Sequence, residues 1–257
     1  MHSLNGKTVL ITGASSGIGA ACAHAFASLD ARLLLAARRL ERLEKLAAEL
    51  YAQHGVEVRT LLLDVRDQPA VEAAINSLPA AWAAIDILVN NAGLSRGLDK
   101  LHEGKLADWE EMIDTNVKGL LYVSRAVIPG MVARRRGHVI NIGSIAGHQV
   151  YPSGNVYSAT KHAVAALTQG MRMDLLGTDV RVSTVDPGMV ETEFSQVRFH
   201  GDEVRAAKVY QGLTPLTPDD VADAVVYCAT RPAHVNINEI IIMPTAQATA
   251  TMAVRVP

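Results

Sequence analysis

Tyr157 and Lys161 stand four residues apart, with Ser144 and Asn116 upstream of them. On a helix that spacing puts both side chains on one face. A free phenol titrates near about 10, so bringing it to roughly 7 for acid/base work requires about 4 kcal/mol of preferential phenolate stabilisation. An ammonium ~5 Å away supplies about 3 kcal/mol of this at an effective dielectric near 20. The residues Pro152, Ser153, Gly154 and Asn155 are expected to cap a helix start, placing Tyr157 in the first turn, where the dipole further favours an anion. Taken alone, the pair also reads as an ordinary amphipathic pair on a surface helix.

A second chemical signal lies near the start of the chain. The apolar run 8–12 enters TGASSGIG, with Gly13, Gly17 and Gly19 spaced around Ser15, Ser16 and Ile18. Between a strand and a helix, such a turn brings backbone N–H groups and a helix amino terminus against a pyrophosphate. The end of the next apolar run selects the dinucleotide. It reads LLLAARRLERL, with Arg38 and Arg39 where an NAD site places an acid. A carboxylate there repels the 2'-phosphate of NADP, whereas guanidiniums hold it through paired hydrogen bonds. NADP is therefore the expected cofactor.

These residues need strands that end at one edge. Apolar runs at 8–12, 32–37, 58–64, 86–90, 138–143, 180–186 and 239–243 are short and nearly continuous, as suits strands covered on both faces of a parallel sheet. Helical periodicity falls between them at 39–53, 67–78, 107–134, 156–176 and 218–230. The βαβ alternation predicts an α/β, doubly wound parallel seven-stranded sheet, a Rossmann fold in one domain over residues 1–257. Asp64 and Val65 at the end of the third strand, and Asn91, Ala92 and Gly93 at the end of the fourth, then face the ligand side. The irregular, charged stretch 188–216 is expected to form a lid there.

Composition removes other classes. With 24 basic and 26 acidic residues among 257, the chain has no broad positive field for nucleic acid or anionic membrane. Cys22 and Cys228 are isolated, as in a reducing cytoplasm, and are expected to be buried small hydrophobes. The start lacks a cationic segment followed by an apolar stretch and cleavage site, so no secretory signal is expected. His138, His148 and His162 show no metal-ligand spacing with nearby acids, and no metal is expected. The run Arg134 to Arg136 is read as solvating a helix end.

Together, TGASSGIG, NNAG at 90–93, Asn116, Ser144, Tyr157, Lys161 and Pro187-Gly188 resemble the short-chain dehydrogenase/reductase family in order and spacing. The resemblance implies that Tyr157 is the general acid/base and that Ser144 donates a hydrogen bond to the substrate oxygen. Lys161 would lower the tyrosine pKa and hold the nicotinamide ribose, while Asn116 would position water in a proton relay. Pro187, Gly188, Val190 and Thr192 would contact the nicotinamide end. Segments such as DWEEMIDTNVKGL, GNVYSATK, EFSQVRF and PAHVNINEI are similar to bacterial NADP-dependent 3-hydroxy acid dehydrogenases acting on L-allo-threonine and serine. The chain departs from them at Glu191 and at its carboxyl end. A 3-hydroxy acid needs a cation for its carboxylate: Arg198 is the candidate, and Arg96 a second. A reductase of neutral ketones, aldehydes or polyols, or a non-catalytic NADP sensor, are the alternatives. The family implies a homotetramer.

Overall fold

The computed structural model describes residues 3–256. Seven strands, β1 (Thr8–Thr12), β2 (Arg32–Ala37), β3 (Val58–Leu62), β4 (Ile85–Asn90), β5 (Gly137–Ile142), β6 (Val180–Pro187) and β7 (Glu239–Ile242), form one parallel sheet. Its order is β3-β2-β1-β4-β5-β6-β7. The order reverses between β1 and β4, so the crossovers on either side leave a crevice at the carboxyl ends of those strands. Period-two alternation sends successive residues of the inner strands into different layers. Val9, Ile11, Leu33 and Leu35 join one apolar core, and Leu10, Leu34, Leu88 and Val139 the other.

Ten helices among the described residues accompany the sheet. α1 (Gly17–Ala27), α2 (Leu40–His54) and α10 (Pro218–Ala229) cover the first core through Phe26, Leu43 and Val225. α3 (Gln68–Asn76) and the short α4 (Ala80–Ala83) precede β4. α5 (Leu106–Ile113) and α6 (Leu120–Ala133) follow it, and α6 covers the second core with Val123, Val127 and Met131. α7 (Asn155–Asp174) leads into β6, while α8 (Phe194–Arg198) and α9 (Glu203–Lys208) lie in the stretch before α10. No helix among the described residues is long and apolar enough to cross a membrane.

Two expectations are corrected here. The periodicity at 107–134 suggested one helix, but a π-helical turn, Asp114–Gly119, divides it. Gly119 seats that turn against Val65, whose Cγ2 would lie 2.6 Å from a Cβ at position 119. The bulge carries Thr115 and Asn116, both buried, at the crevice. The arginine run does more than solvate a helix end. Arg134 Nη2 donates to the Ile85 carbonyl at 2.7 Å, Arg135 pairs with Asp179 at 2.8 Å and Arg136 with the buried Asp86 at 2.9 Å. These long-range partners fix the entries to β4 and β6, which periodicity cannot reveal.

Phe26, fully buried under α1, leaves a large cavity if truncated. Phe26→Ala is expected to lower the unfolding free energy by about 3–5 kcal/mol, measured by denaturant titration.

Candidate active site

A cavity of about 330 Å³ runs along the carboxyl ends of the strands. Every site residue read from the sequence lines it except Gly19, Asn116 and the two candidate arginines, Arg96 and Arg198. At one end, β1 turns into α1 through Gly13, whose φ of 66° suits glycine. A Cβ on Gly13 would lie 2.9 Å from the Ala92 Cα, and one on Gly19 2.5 Å from the Gly13 carbonyl oxygen. Gly19 therefore serves as a packing glycine beneath the turn. Among the described residues, neither a side-chain cap nor an acid occupies the first turn of α1. Its N–H donors and dipole remain for an anion.

The ends of β1 and β4 are sewn together. Thr12 Oγ1 accepts from the backbone N–H groups of Asn91 and Ala92 at 3.1 and 3.0 Å, and the Asn91 amide donates to the Thr12 and Gly13 carbonyls at 2.9 and 3.2 Å. Arg39, at the N-cap of α2, reaches over the Gly-rich turn, donating from Nε to Ser15 at 3.1 Å and from Nη2 to Ser16 at 2.7 Å. Arg38 lines the same end. The backbone-on-backbone turn, uncapped helix and paired guanidiniums fit a dinucleotide carrying a 2'-phosphate. Strand β3 stops two residues short of Asp64, whose carboxylate chelates Arg66 through Nη2 at 2.6 Å and Nε at 3.0 Å. Arg66 thus holds the Asp64 carboxyl below the usual carboxylate range.

At the other end, α7 places Tyr157 in its first turn and Lys161 one turn on, both buried. The cap falls within the expected stretch 152–155, without a side-chain cap hydrogen bond. Gly154 is the N-cap and its side-chain-free position is filled by the Tyr151 ring, 2.1 Å from where a Cβ would sit. Lys161 Nζ donates to the Ile142 carbonyl at 2.9 Å and lies 6.0 Å from the Tyr157 ring centroid. Burial brings its pKa down to about 8, against the opposing charge of Asp186. Burial also pushes the Tyr157 phenol up, while the Arg198 guanidinium and the Ser144 hydroxyl pull it down. Arg198 is thus a second cation beside the phenol, one that sequence spacing did not point to.

Asn116 bonds both faces of the catalytic pocket. Its Oδ1 accepts from Leu94 N at 2.8 Å, and its amide donates to the Leu94 carbonyl at 2.8 Å and to Thr160 Oγ1 at 3.0 Å. It joins the loop after β4 to α7. The two arginine candidates are distinguished by their partners. Arg96 is committed to Glu111 at 2.6 and 3.3 Å and to the Val197 carbonyl, so it tethers α8 and is not available to a carboxylate. The Arg198 guanidinium carbon stands 5.5 Å from the Tyr157 ring centroid and 5.1 Å from that of Phe194. Nη2 donates to Tyr151 at 3.1 Å, while the buried Nε has no partner among the described residues.

Several functional neighbours escaped sequence reading. His148 Nε2 meets Asp186 at 3.1 Å and Glu239 at 3.6 Å, a cluster assembled across β6 and β7 that near-neighbour spacing could not show. Gln247 accepts from Met189 N at 2.8 Å and would sit 2.5 Å from a Cβ on Gly188, fixing the turn after β6. Glu193 lines the cavity and pairs with Arg39. It stands in the stretch expected as a lid, but spacing does not say which cation a lid carboxylate meets.

A family profile described as short chain dehydrogenase matches residues 7–203. The NADP-dependent 3-hydroxy acid dehydrogenase YdfG of Salmonella typhi is 51% identical over 247 residues, covering 96% of this chain and 98% of that protein. The NADP-dependent 3-hydroxy acid dehydrogenase of Schizosaccharomyces pombe is 44% identical over 99% of each. Among solved structures, the closed form of serine dehydrogenase complexed with NADP+ superposes with a TM-score of 0.90 at 48% identity, covering 97% of this chain and all 100% of that one.

The Lys161 pKa generates a test. The unfolded amine titrates at 10.5 and the buried one at about 8, so between these values the unfolded chain binds more protons and stability rises with pH. Relative to Lys161→Met, the wild-type unfolding free energy is expected to climb on the order of 3 kcal/mol across that window. Denaturant titrations at several pH values check this; parallel curves would contradict it.

Proposed function

Because the chain belongs to the short-chain dehydrogenase family, we propose that it exchanges a hydride between NADP and the hydroxyl-bearing carbon of a small 3-hydroxy acid of the allo-threonine, serine or 3-hydroxybutyrate type. It is an NADP-dependent oxidoreductase. Relatives bearing that function match nearly its whole length. The observation carrying the substrate class is Arg198, whose guanidinium carbon stands 5.5 Å from the Tyr157 ring centroid and whose Nε has no partner among the described residues. A carboxylate two carbons from the carbinol would bind there while the hydroxyl meets the phenol.

When bound, NADP supplies the hydride acceptor. The chain's own groups handle the rest. Ser144 holds the substrate oxygen, and Tyr157 receives its proton in oxidation and returns it in reduction. Burial alone would keep that phenol neutral, so Arg198 and Lys161 supply the positive field that makes its ionisation accessible. Asn116 acts by tying the loop after β4 to α7, which sets Tyr157 against the cavity floor. Gly13, Ser15, Ser16, Gly17 and Ile18 hold the pyrophosphate, Arg38 and Arg39 the 2'-phosphate, and Asp64 and Val65 the adenine side. Pro187, Gly188, Val190 and Thr192 border the nicotinamide side, and the stretch 188–216 serves as the lid.

Tyr157→Phe is expected to reduce kcat roughly hundred- to ten-thousandfold, followed as NADP reduction with 3-hydroxy acids. Arg198→Met is expected to reduce kcat/KM for the acids roughly ten- to hundredfold. Neutral alcohols should lose less, with the pH profile of oxidation moving to higher pH because the phenol loses a cation. Equal losses on both substrate sets, or a wild-type preference for the neutral alcohols, would defeat the acid reading.

We also assign a homotetramer in the cytoplasm. Leu106, Ile113 and Leu121 on α5, the π turn's flank and α6, and Met173 and Leu176 at the end of α7, are exposed apolar residues, a surface suited to subunit contacts. The free buried thiols of Cys22 and Cys228 suit a reducing compartment. Light scattering is expected to give four times the chain mass of 27.5 kDa; a monomer at micromolar concentration would overturn the assembly.

A further inference from the structure

Glu193 is the residue from which α8 departs, at the N-cap of that lid helix. Its carboxylate bridges two guanidiniums, Oε2 accepting from Arg39 Nη1 at 2.9 Å and Oε1 from Arg42 Nη1 at 2.7 Å. Partial burial would raise its pKa, but the hydrogen bonds from Arg39 and Arg42 outweigh this and hold the carboxyl below its ordinary range. It is an anion at neutral pH. The neighbouring Thr192 comes within 3.3 Å of where a Cβ on Gly17 would stand, so residues 192 and 193 lie over the phosphate turn. The other nitrogens of Arg39 point to Ser15 and Ser16. The edge of Arg39 left for an external anion is the one that Glu193 occupies.

We infer that Glu193 is a cofactor-discriminating residue that competes with the NADP 2'-phosphate for Arg39 and couples arrival of that phosphate to release of the lid's first residue. The inference rests on the NADP reading above. A carboxylate between two arginines presents one negative charge and accepts a single charge-assisted hydrogen bond from each, the kind of bond a phosphate oxygen also accepts. A phosphate monoester carries between one and a half and two charges and three acceptor oxygens, so it displaces the carboxylate from Arg39. A cofactor with a free 2'-hydroxyl offers Arg39 no charge and leaves the Glu193 bridge in place. The lid is thus latched in the free chain and with NAD, and unlatched from Arg39 by NADP. The latch costs NADP affinity and makes lid movement conditional on the phosphate.

The test uses fragments that carry only the adenosine end of the cofactor. Binding of 2',5'-ADP and of 5'-AMP to the wild-type chain, Glu193→Gln and Glu193→Ala is measured by calorimetry, with amide exchange of residues 193–198 followed in parallel. Both substitutions are expected to tighten 2',5'-ADP roughly three- to tenfold while changing 5'-AMP less than twofold. In the wild-type chain, 2',5'-ADP should accelerate exchange in α8 and 5'-AMP should not; in the variants exchange should be fast without either. Unchanged or weaker 2',5'-ADP binding by both variants overturns the inference, since Glu193 would then be orienting Arg39 for the phosphate or be indifferent to it. A wild-type chain that binds 2',5'-ADP no better than 5'-AMP defeats the NADP reading itself, and the competition with it.

Discussion

The site depends on how the ends of β1 and β4 are joined where the strand order reverses. Helices leave the sheet in opposite directions there, and a crevice without cross-bonds would have two independent walls. Thr12 Oγ1 takes two backbone N–H groups from the β4 side, and Asn91 returns its amide to two carbonyls on the β1 side. Four hydrogen bonds made by two side chains set the Gly-rich turn at a fixed distance from Ala92 and Gly93. A second layer lies deeper. Asn90 donates to Ser124 and Asn141, and Asn141 donates to Thr168 on α7. The phosphate end and the catalytic helix are thus connected through polar groups that burial makes expensive to disrupt.

Burial is also what gives the catalytic end its character. The Lys161 amine and the Tyr157 phenol both lie out of water, and burial opposes charge on each. The consequences run in opposite directions: the lysine becomes easier to deprotonate and the tyrosine harder. Arg198, a residue of α8, adds positive field at the phenol. Reactivity of the tyrosine is consequently tied to where that helix sits.

The strands were legible because both faces of the sheet are covered, which leaves runs such as RLLLAA and DILVN almost wholly apolar. Tyr157 and Lys161 were legible because a spacing of four needs only one helix to bring them together. The unread features share a different cause. The π turn at Asp114–Gly119 answers to packing on Val65, a residue about fifty positions earlier. The arginine run and His148 find partners on other strands. Arg96 and Arg198 are alike by type and by nearness to the site, and only the position of Glu111 separates a tether from a free cation. Spacing reports contacts within an element; contacts between elements are set by the fold.

Helix α8 is held at both ends, and unequally. At its start, Glu193 pairs with Arg39 and Arg42, side chains exposed by 38%, 43% and 49%. At its far end, Arg96 grips the Val197 carbonyl, Gly97 N donates to the Arg198 carbonyl at 2.9 Å, and Arg96 is itself anchored to Glu111 with exposures of 16% and 21%. Solvent screens the first set more than the second. Glu111 also meets Arg66 at 3.5 Å, and Arg66 donates to Asp64 in the cavity wall, so the firmer tether continues into that wall. The contact at Glu193 is therefore the weaker of the two, and Arg198 lies at the firmer end of the helix.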